Sequence, residues 1–311
     1  MTTSVRRFDA WLRMVAGTAL LCALSGALGA QGPSLFSREW YAQFSGPYSQ
    51  PLEPFRIVGN VYYVGASGIS SFLITTPEGH ILLDTGFAPT VPRIKESVEK
   101  LGFKLTDVKV ILNSHAHCDH AGGHALMKQL TGAKIMMSKA DAALLASGGT
   151  NDFTPFSREM IGYAPATTDR VLRDGDKVTI GGTTMICHLT PGHTKGCTTW
   201  TMDVTQDGKV YHLLFFGSTS VLSGVPLVDN KQYPSIADDL AQTYRKLKAF
   251  PCDVFLAPHA GFFDLAGKAA KLEHGADSNP FVNPSEFSNF ITKAEEKFLA
   301  QLVTERREAS K

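Results

Sequence analysis

The chain has 311 residues, of which 43% are hydrophobic and 19% are charged, and this ordinary globular composition excludes a mostly disordered protein. The 30 basic residues almost balance the 29 acidic ones, so the formal net charge of +1 gives no electrostatic reason to expect nucleic acid as a partner. A chain of this length forms one large domain or two small ones and buries a substantial core.

The first thirty residues differ in composition from the rest of the chain. Three arginines precede an apolar run over 14–28, and small residues follow it up to Ala30. This pattern predicts a secretory signal peptide over residues 1–30, because the apolar run is short for a membrane span. A retained membrane anchor is one alternative. A lipoprotein attached at Cys22 is another, although the bulky Leu21 before it disfavours such a site.

Beyond an aperiodic arm over 31–54, short apolar runs that each end in a turn predict buried strands. These runs cover 61–64, 71–75, 81–84, 108–112, 184–189, 213–216 and 254–257. Apolar residues at helical spacing predict helices near 94–101, 240–247 and 287–302. The pattern by itself therefore predicts a mixed α and β protein.

The segment 148–168 has no hydrophobic period and is rich in glycine, proline and aromatic residues, so it is predicted to be a long loop. Long loops in compact domains often bind ligands. Phe153, Phe156 and Tyr163 then either line a pocket or pack inward as part of the core.

Six potential metal ligands lie in loops that follow predicted strands: His115, His117, Asp119, His120, His193 and His259. In an extended segment, side chains two residues apart point the same way, so His115 and His117 can bind one ion. Asp119 and His120 are adjacent and can face a second position nearby. Nitrogen and oxygen ligands with an open coordination position are typical of a catalytic zinc pair, and buried structural histidines are the alternative.

With these residues in place, the sequence resembles the metallo-β-lactamase superfamily. Asp84-Thr85-Gly86 is similar to the turn whose aspartate supports the metal loop in that family. The resemblance implies an α/β four-layer αβ/βα sandwich, in which two mixed β-sheets pack face to face with helices outside. It also implies that residues 31–311 form a single domain.

The residue that follows the 213–216 strand distinguishes the members of this family. Many members, including glyoxalase II, place an aspartate there that bridges two metals, whereas this chain has Ser218, and a serine hydroxyl is a poor zinc ligand. The resemblance is therefore to the third subclass of metallo-β-lactamases, with similarity also over 192–200 and 250–254. It implies two Zn²⁺ per subunit, one bound by His115, His117 and His193 and the other by Asp119, His120 and His259.

The resemblance implies that the protein opens the β-lactam ring of penicillins, cephalosporins and carbapenems by attack of a metal-bound hydroxide, which confers antibiotic resistance. Asp119 would be catalytic, since it holds one ion and orients the nucleophile. Ser218 and Ser220 would donate hydrogen bonds to the substrate carboxylate, or they form only the turn after the strand. We expect a periplasmic monomer that acts on small molecules. A lactonase or thioesterase of the same superfamily, and a zinc-binding protein without catalysis, are the alternatives.

Four cysteines follow the predicted signal peptide. Cys187 and Cys197 either form a disulfide bridge or remain free, and Cys118 either acts as a soft ligand or points away from the metals. Among the other histidines, His188 and His212 are predicted to be structural and His124 to open a helix, whereas His80 and His274 are predicted to lie on the surface.

Overall fold

The computed structural model describes residues 45–154 and 162–311. The predicted signal peptide and most of the predicted arm lie outside the described residues, as does Phe156. Among the residues described, no helix is both long and apolar enough to cross a membrane.

The strands form two mixed sheets. In the seven-stranded sheet the strands follow chain order, and the pairs are antiparallel from β1 to β4 and parallel from β4 to β7. The five-stranded sheet has the order β12-β11-β10-β9-β8, and only β11 and β12 are parallel. The strands are β1 (Phe55–Val58), β2 (Val61–Tyr63), β3 (Phe72–Ile74), β4 (His80–Leu83), β5 (Val108–Leu112), β6 (Lys134–Ser138), β7 (Arg170–Leu172), β8 (Lys177–Ile180), β9 (Thr183–Leu189), β10 (Thr198–Gln206), β11 (Lys209–Phe215) and β12 (Val254–Leu256).

Seven α-helices are described, and their local sequences explain several of their ends. The first helix has a proline in its first turn, where a missing N–H costs no hydrogen bond. The fourth is capped by Ser138, whose hydroxyl accepts from the backbone N–H of Asp141. The helices are α1 (Val91–Lys100), α2 (Cys118–Ala121), α3 (His124–Thr131), α4 (Lys139–Ala146), α5 (Ile236–Leu247), α6 (Leu265–Glu273) and α7 (Glu286–Ala309).

Two hydrophobic clusters show the layering of the fold. Side chains alternate along the central strands, so Leu83 joins the cluster between the sheets while Leu82 joins the cluster under α1, α3 and α4. Between the sheets, Phe72 of the first sheet packs edge-on against Phe215 of the second at a centroid distance of 5.3 Å. Residues of α5 and α7 complete that cluster from the other side. The layers are helix, sheet, sheet and helix, as the resemblance implied.

Each strand predicted from the apolar runs is present in the structure. All but one lie within one or two residues of their predicted ends, and β11 begins at Lys209, four residues before its predicted start. Strands β1, β6, β7, β8 and β10 were not predicted. The exposed residues of β7 and β8 explain part of this, since one buried face gives a weaker apolar signal than two.

The prediction for His80, which lies outside the metal motif, is wrong. It was predicted to lie on the surface but is 7% exposed at the start of β4. Its ring packs edge-on against Phe103, and Nδ1 accepts from the backbone N–H of Thr76. His274 is exposed and His124 is the first residue of α3, as predicted. His188 and His212 lie in β9 and β11 and bond to Thr201 and Asp203, which agrees with a structural role.

In the described part of the chain all four cysteines are free thiols, so the Cys187–Cys197 bridge does not form. Cys118 is buried in a small cluster with Ile69 and Phe87, and burial raises the pKa of its thiol. It is therefore packed as an apolar residue.

Candidate metal centre

The loop after β5 carries four of the six predicted ligands, and the second sheet fixes where that loop begins. Trp200 of β10 donates its indole N–H to the carbonyl of Asn113 at 2.9 Å. The backbone N–H of Thr198 donates to the carbonyl of Ser114 at 2.8 Å. The first ligand, His115, therefore leaves a backbone held by both sheets.

The other two loops bring His193 and His259 to the same edge. His193 follows β9 through Gly192, which has φ +142°, and a Cβ at Gly192 would come within 2.3 Å of the Leu240 side chain. His259 follows β12, and its neighbour Ala260 donates its N–H to the carbonyl of Gly68 at 3.0 Å. Close packing and backbone bonds thus set both positions.

His115, His117 and His193 form one group whose candidate ligand atoms all lie within 4.8 Å of one another. The Nε2 atoms of His115 and His193 are 3.1 Å apart. The ring of His117 lies 4.9 Å from that of His115 and 4.8 Å from that of His193, measured between centroids. The structure therefore brings together the three histidines predicted to share one ion.

Asp119, His120 and His259 form the second predicted set. Oδ2 of Asp119 is 3.2 Å from Nε2 of His120 and 3.7 Å from Nε2 of His259. The two histidine Nε2 atoms are 3.3 Å apart. Asp119 and His120 also lie close enough to His115 to form a group with it, so the six side chains make one continuous cluster.

The hydrogen bonds on the far sides of the rings determine which nitrogens face the cluster. Nδ1 of His193 lies 2.7 Å from the carbonyl of Ser220, which can only accept, so this nitrogen carries the proton. Ser114 donates its hydroxyl proton to Asp84 and therefore accepts from Nδ1 of His115, at 3.1 Å. In both neutral rings Nε2 is left unprotonated.

Two unprotonated nitrogens that face each other at 3.1 Å repel unless a cation lies between them. Burial, helped by the neighbouring histidines, lowers the pKa of His115 well below its usual range and that of His193 to about 3, so both rings are neutral at pH 7. Burial also lowers the pKa of His259 to about 4. Neutral imidazole is the form that ligates metals, so these residues fit a metal centre.

The charges of Asp119 and His120 depend on each other. Burial would raise the pKa of Asp119, but the adjacent His120 outweighs this effect and lowers it, so the carboxylate is ionised. Burial would lower the pKa of His120, but the carboxylates of Asp119 and Asp84 together outweigh it and raise the pKa to about 10. On the other side of this ring, Oδ2 of Asp84 lies 3.4 Å from Nδ1. That carboxylate also accepts from the N–H and hydroxyl of Ser114, both at 2.7 Å.

The two serines predicted to bind substrate have different environments. Ser218 is 2% exposed, and its hydroxyl accepts from the backbone N–H of Ser220 at 3.2 Å. Ser220 has an exposed side chain, and its carbonyl is the acceptor for His193. These contacts are those of the turn after β11, and the substrate-binding role of both residues stays a prediction.

Asp152 contacts a predicted metal ligand, and sequence analysis did not identify it. Its Oδ2 lies 2.9 Å from Nε2 of His117, and both side chains are largely buried. Nothing in the sequence around Asp152 has a motif or a period, so its single carboxylate gave no signal. In the same loop Phe153 packs into the core against Tyr233, which agrees with the inward alternative for that ring.

Comparison of the chain with known proteins finds a matching family and similar solved structures. The family model for the Metallo-beta-lactamase superfamily matches residues 64–259. The native FEZ-1 metallo-beta-lactamase of Legionella gormanii is 45% identical with a TM-score of 0.81, over 83% of this chain and 98% of that chain. BJP-1, a subclass B3 metallo-beta-lactamase of Bradyrhizobium japonicum, is 39% identical with a TM-score of 0.78, over 84% and 98%.

A curated relative carries a different activity in its name. The hydroxyacylglutathione hydrolase of Rhodospirillum rubrum is 28% identical over 161 residues, which are 51% of this chain and 50% of that protein. This chain therefore spans about half the length of that relative. The solved structures match over more of the chain and at higher identity, and they confirm the predicted fold and the resemblance to the third subclass.

Proposed function

The chain belongs to the metallo-β-lactamase superfamily and is a hydrolase of that kind, and from this membership we propose that it binds two Zn²⁺ and opens the β-lactam ring of penicillins, cephalosporins and carbapenems. The observation that supports the proposal most directly is the cluster of five histidines and Asp119 at the strand ends of a chain 45% identical to a metallo-β-lactamase.

The residues fit zinc better than calcium or magnesium, because neutral imidazole predominates over carboxylate among the donors. His115, His117 and His193 would hold one ion, and Asp119, His120 and His259 the other. A bound zinc pair supplies Lewis acidity and lowers the pKa of water to about 7, which provides a nucleophile at neutral pH.

The protein's own residues supply orientation and charge. Asp119 stays ionised at neutral pH, so its carboxylate would accept a hydrogen bond from the nucleophile and orient it toward the substrate. The carbonyl of Ser220 accepts from the ring of His193, so Ser220 adjoins a residue of the cluster, and we propose that its exposed hydroxyl faces the substrate. There it would donate to the carboxylate that β-lactams carry. Ser218 would support it through the turn.

A thioesterase is the second candidate, because of the similarity to hydroxyacylglutathione hydrolases. The residue at position 218 separates the two candidates. A buried serine that bonds the backbone of its own turn supplies no carboxylate to bridge two metals, as the aspartate of glyoxalase II would. This favours the β-lactamase.

The test is hydrolysis by the purified chain, beginning after residue 30, with meropenem, benzylpenicillin and a cephalosporin in parallel with a glutathione thioester and a lactone. We expect β-lactam turnover that a chelator abolishes, that added zinc restores, and that clavulanate leaves intact. Asp119→Asn should lose β-lactam turnover. Asp207→Asn, on the exposed turn between β10 and β11, should keep it. Zinc-loaded protein that cleaves the thioester and no β-lactam would refute the proposal.

We further propose that the protein acts as a monomer in the periplasm, where it would meet β-lactams and confer resistance. The predicted signal peptide over 1–30 supports this location. Fractionation of cells that express the full chain tests it.

A further inference from the structure

Two residues of the loop 148–168 contact the metal loop from outside the ligand set. Oδ2 of Asp152 lies 2.9 Å from Nε2 of His117. The hydroxyl of Tyr163 donates to the carbonyl of Ala116 at 2.5 Å. The stretch His115-Ala116-His117 is thus held twice, once by a side chain and once by its backbone.

The carboxylate of Asp152 is also held by hydrogen bonds from its own loop. Oδ1 accepts from the backbone N–H of Phe153 at 2.8 Å, and Oδ2 also accepts from the hydroxyl of Thr154 at 2.9 Å. Its side chain is 6% exposed. A carboxylate with this many donors has one orientation, so it defines the position of the ring that bonds to it.

Tyr163 is fixed in the same way. Its backbone N–H donates to the carbonyl of Gly148 at 3.0 Å, which closes the base of the loop. Gly148 has φ +63°, and a Cβ there would come within 2.4 Å of the Tyr163 carbonyl. The ring packs against two buried apolar clusters, one of which contains Cys118.

The bond to Asp152 has a defined chemical consequence for His117. A carboxylate accepts only, so Nε2 of His117 carries the proton and Nδ1 is left as the nitrogen available to a metal. The same bond makes the imidazole more electron-rich and prevents its rotation. Outer carboxylates of this kind typically change metal affinity 10- to 100-fold.

We propose that Asp152 and Tyr163 are positioning residues that set the metal affinity of the three-histidine site, Asp152 by fixing the ring of His117 and Tyr163 by fixing the backbone at Ala116. The described parts of this loop, 148–154 and 162–168, then contribute to the metal centre. This deepens the proposed function and rests only on its metal-binding part.

The experiment measures zinc affinity by competition with a chromophoric chelator on the chain that begins after residue 30. We expect Asp152→Ala to weaken the binding of one of the two zinc ions about 10- to 100-fold and to leave the affinity for the other unchanged. Asp152→Asn keeps the shape and an acceptor without the charge, so it should fall in between. Tyr163→Phe keeps the ring and loses one hydrogen bond, so we expect about a fivefold weakening.

Two further readouts separate positioning from general damage. The absorption bands of the Co²⁺-substituted protein should shift in Asp152→Asn, while the melting temperature of the metal-free protein stays close to that of the wild type. Asn151→Ala is the matched control, because Asn151 is the exposed neighbour on the same loop, and it should leave both readouts unchanged.

Two results would overturn the proposal: zinc affinity of Asp152→Ala equal to wild type, or an equal loss at both ions. Wild-type protein that binds two zinc ions but hydrolyses no β-lactam would refute the proposed function and leave this inference standing.

Discussion

Asp84 controls the protonation of two ligands at once, and replacing it with asparagine should weaken metal binding without unfolding the protein. Its φ of +60° is tolerated by asparagine as well as by aspartate, so the backbone is not strained by the change. Oδ1 of the new side chain still accepts from the N–H of Ser114. The amide nitrogen, however, replaces the oxygen that accepts from the Ser114 hydroxyl.

The replaced oxygen faces two donors, and an amide N–H₂ suits neither. Nδ1 of His120, at 3.4 Å, would face a second donor. The hydroxyl of Ser114 would have to accept, and its own proton would turn toward Nδ1 of His115 at 3.1 Å. The proton of His115 would then move to Nε2, the atom that faces His193. A protonated nitrogen cannot ligate metal.

The size of the effect follows from the bonds that change. A hydrogen bond to a charged group is worth about 1.5–3 kcal/mol and a neutral one about 0.5–1.5 kcal/mol, so losing the charge costs about 1–2 kcal/mol per bond. One such loss weakens zinc affinity about tenfold and two weaken it about 100-fold. We therefore expect Asp84→Asn to bind zinc about 10- to 100-fold more weakly than the wild type.

The assay is chelator competition, with urea unfolding of the metal-free protein as a check on folding. Asp207→Asn is the control, because Asp207 also has a positive φ, of +52°, and lies exposed at a hairpin turn. It should leave zinc affinity unchanged. Folded Asp84→Asn that binds zinc within twofold of the wild type would refute the argument that Asp84 sets the protonation of His115 and His120.

Three further predictions concern the metal-free protein and its uptake of zinc. Trp200→Phe leaves the buried carbonyl of Asn113 without its donor and opens a cavity, so urea unfolding should show a loss of about 2–4 kcal/mol; a loss under about 1 kcal/mol would contradict this. Burial raises the pKa of Asp141 to about 6, so the folded state favours the protonated acid. The free energy of unfolding should therefore fall by up to about 3 kcal/mol as the pH rises from about 4 to 6. Asp141→Asn should flatten that profile. Because Asp119 raises the pKa of His120, zinc must displace a proton from that ring when it binds. Chelator competition should therefore show a zinc affinity that rises about tenfold per pH unit between about pH 6 and 9. A zinc affinity that does not change with pH would count against a protonated His120.

The sequence predicted the six clustered residues because each lies just after a buried strand, where apolar runs and turns are easy to recognise. Asp84 was found only through the family resemblance, since one aspartate after a strand has no pattern of its own. Asp152 could not be found, because its role depends on where an aperiodic loop returns in space. His80 was misplaced for a related reason: Phe103, which covers it, comes from a segment without regular structure.

The position of the cluster also explains why its geometry is set before metal binds. Its ligands follow β5 of one sheet and β9 and β12 of the other, so each sheet carries part of the centre. Rigid strands fix where the loops begin, and the bonds from Asp84, Asp152 and the Ser220 carbonyl then fix the rings. Holding unprotonated nitrogens 3.1 Å apart costs free energy in the metal-free protein, and a bound cation removes that cost. Metal should therefore stabilise the packing of the two sheets, with about 4 kcal/mol gained at a free concentration about 1,000 times the dissociation constant.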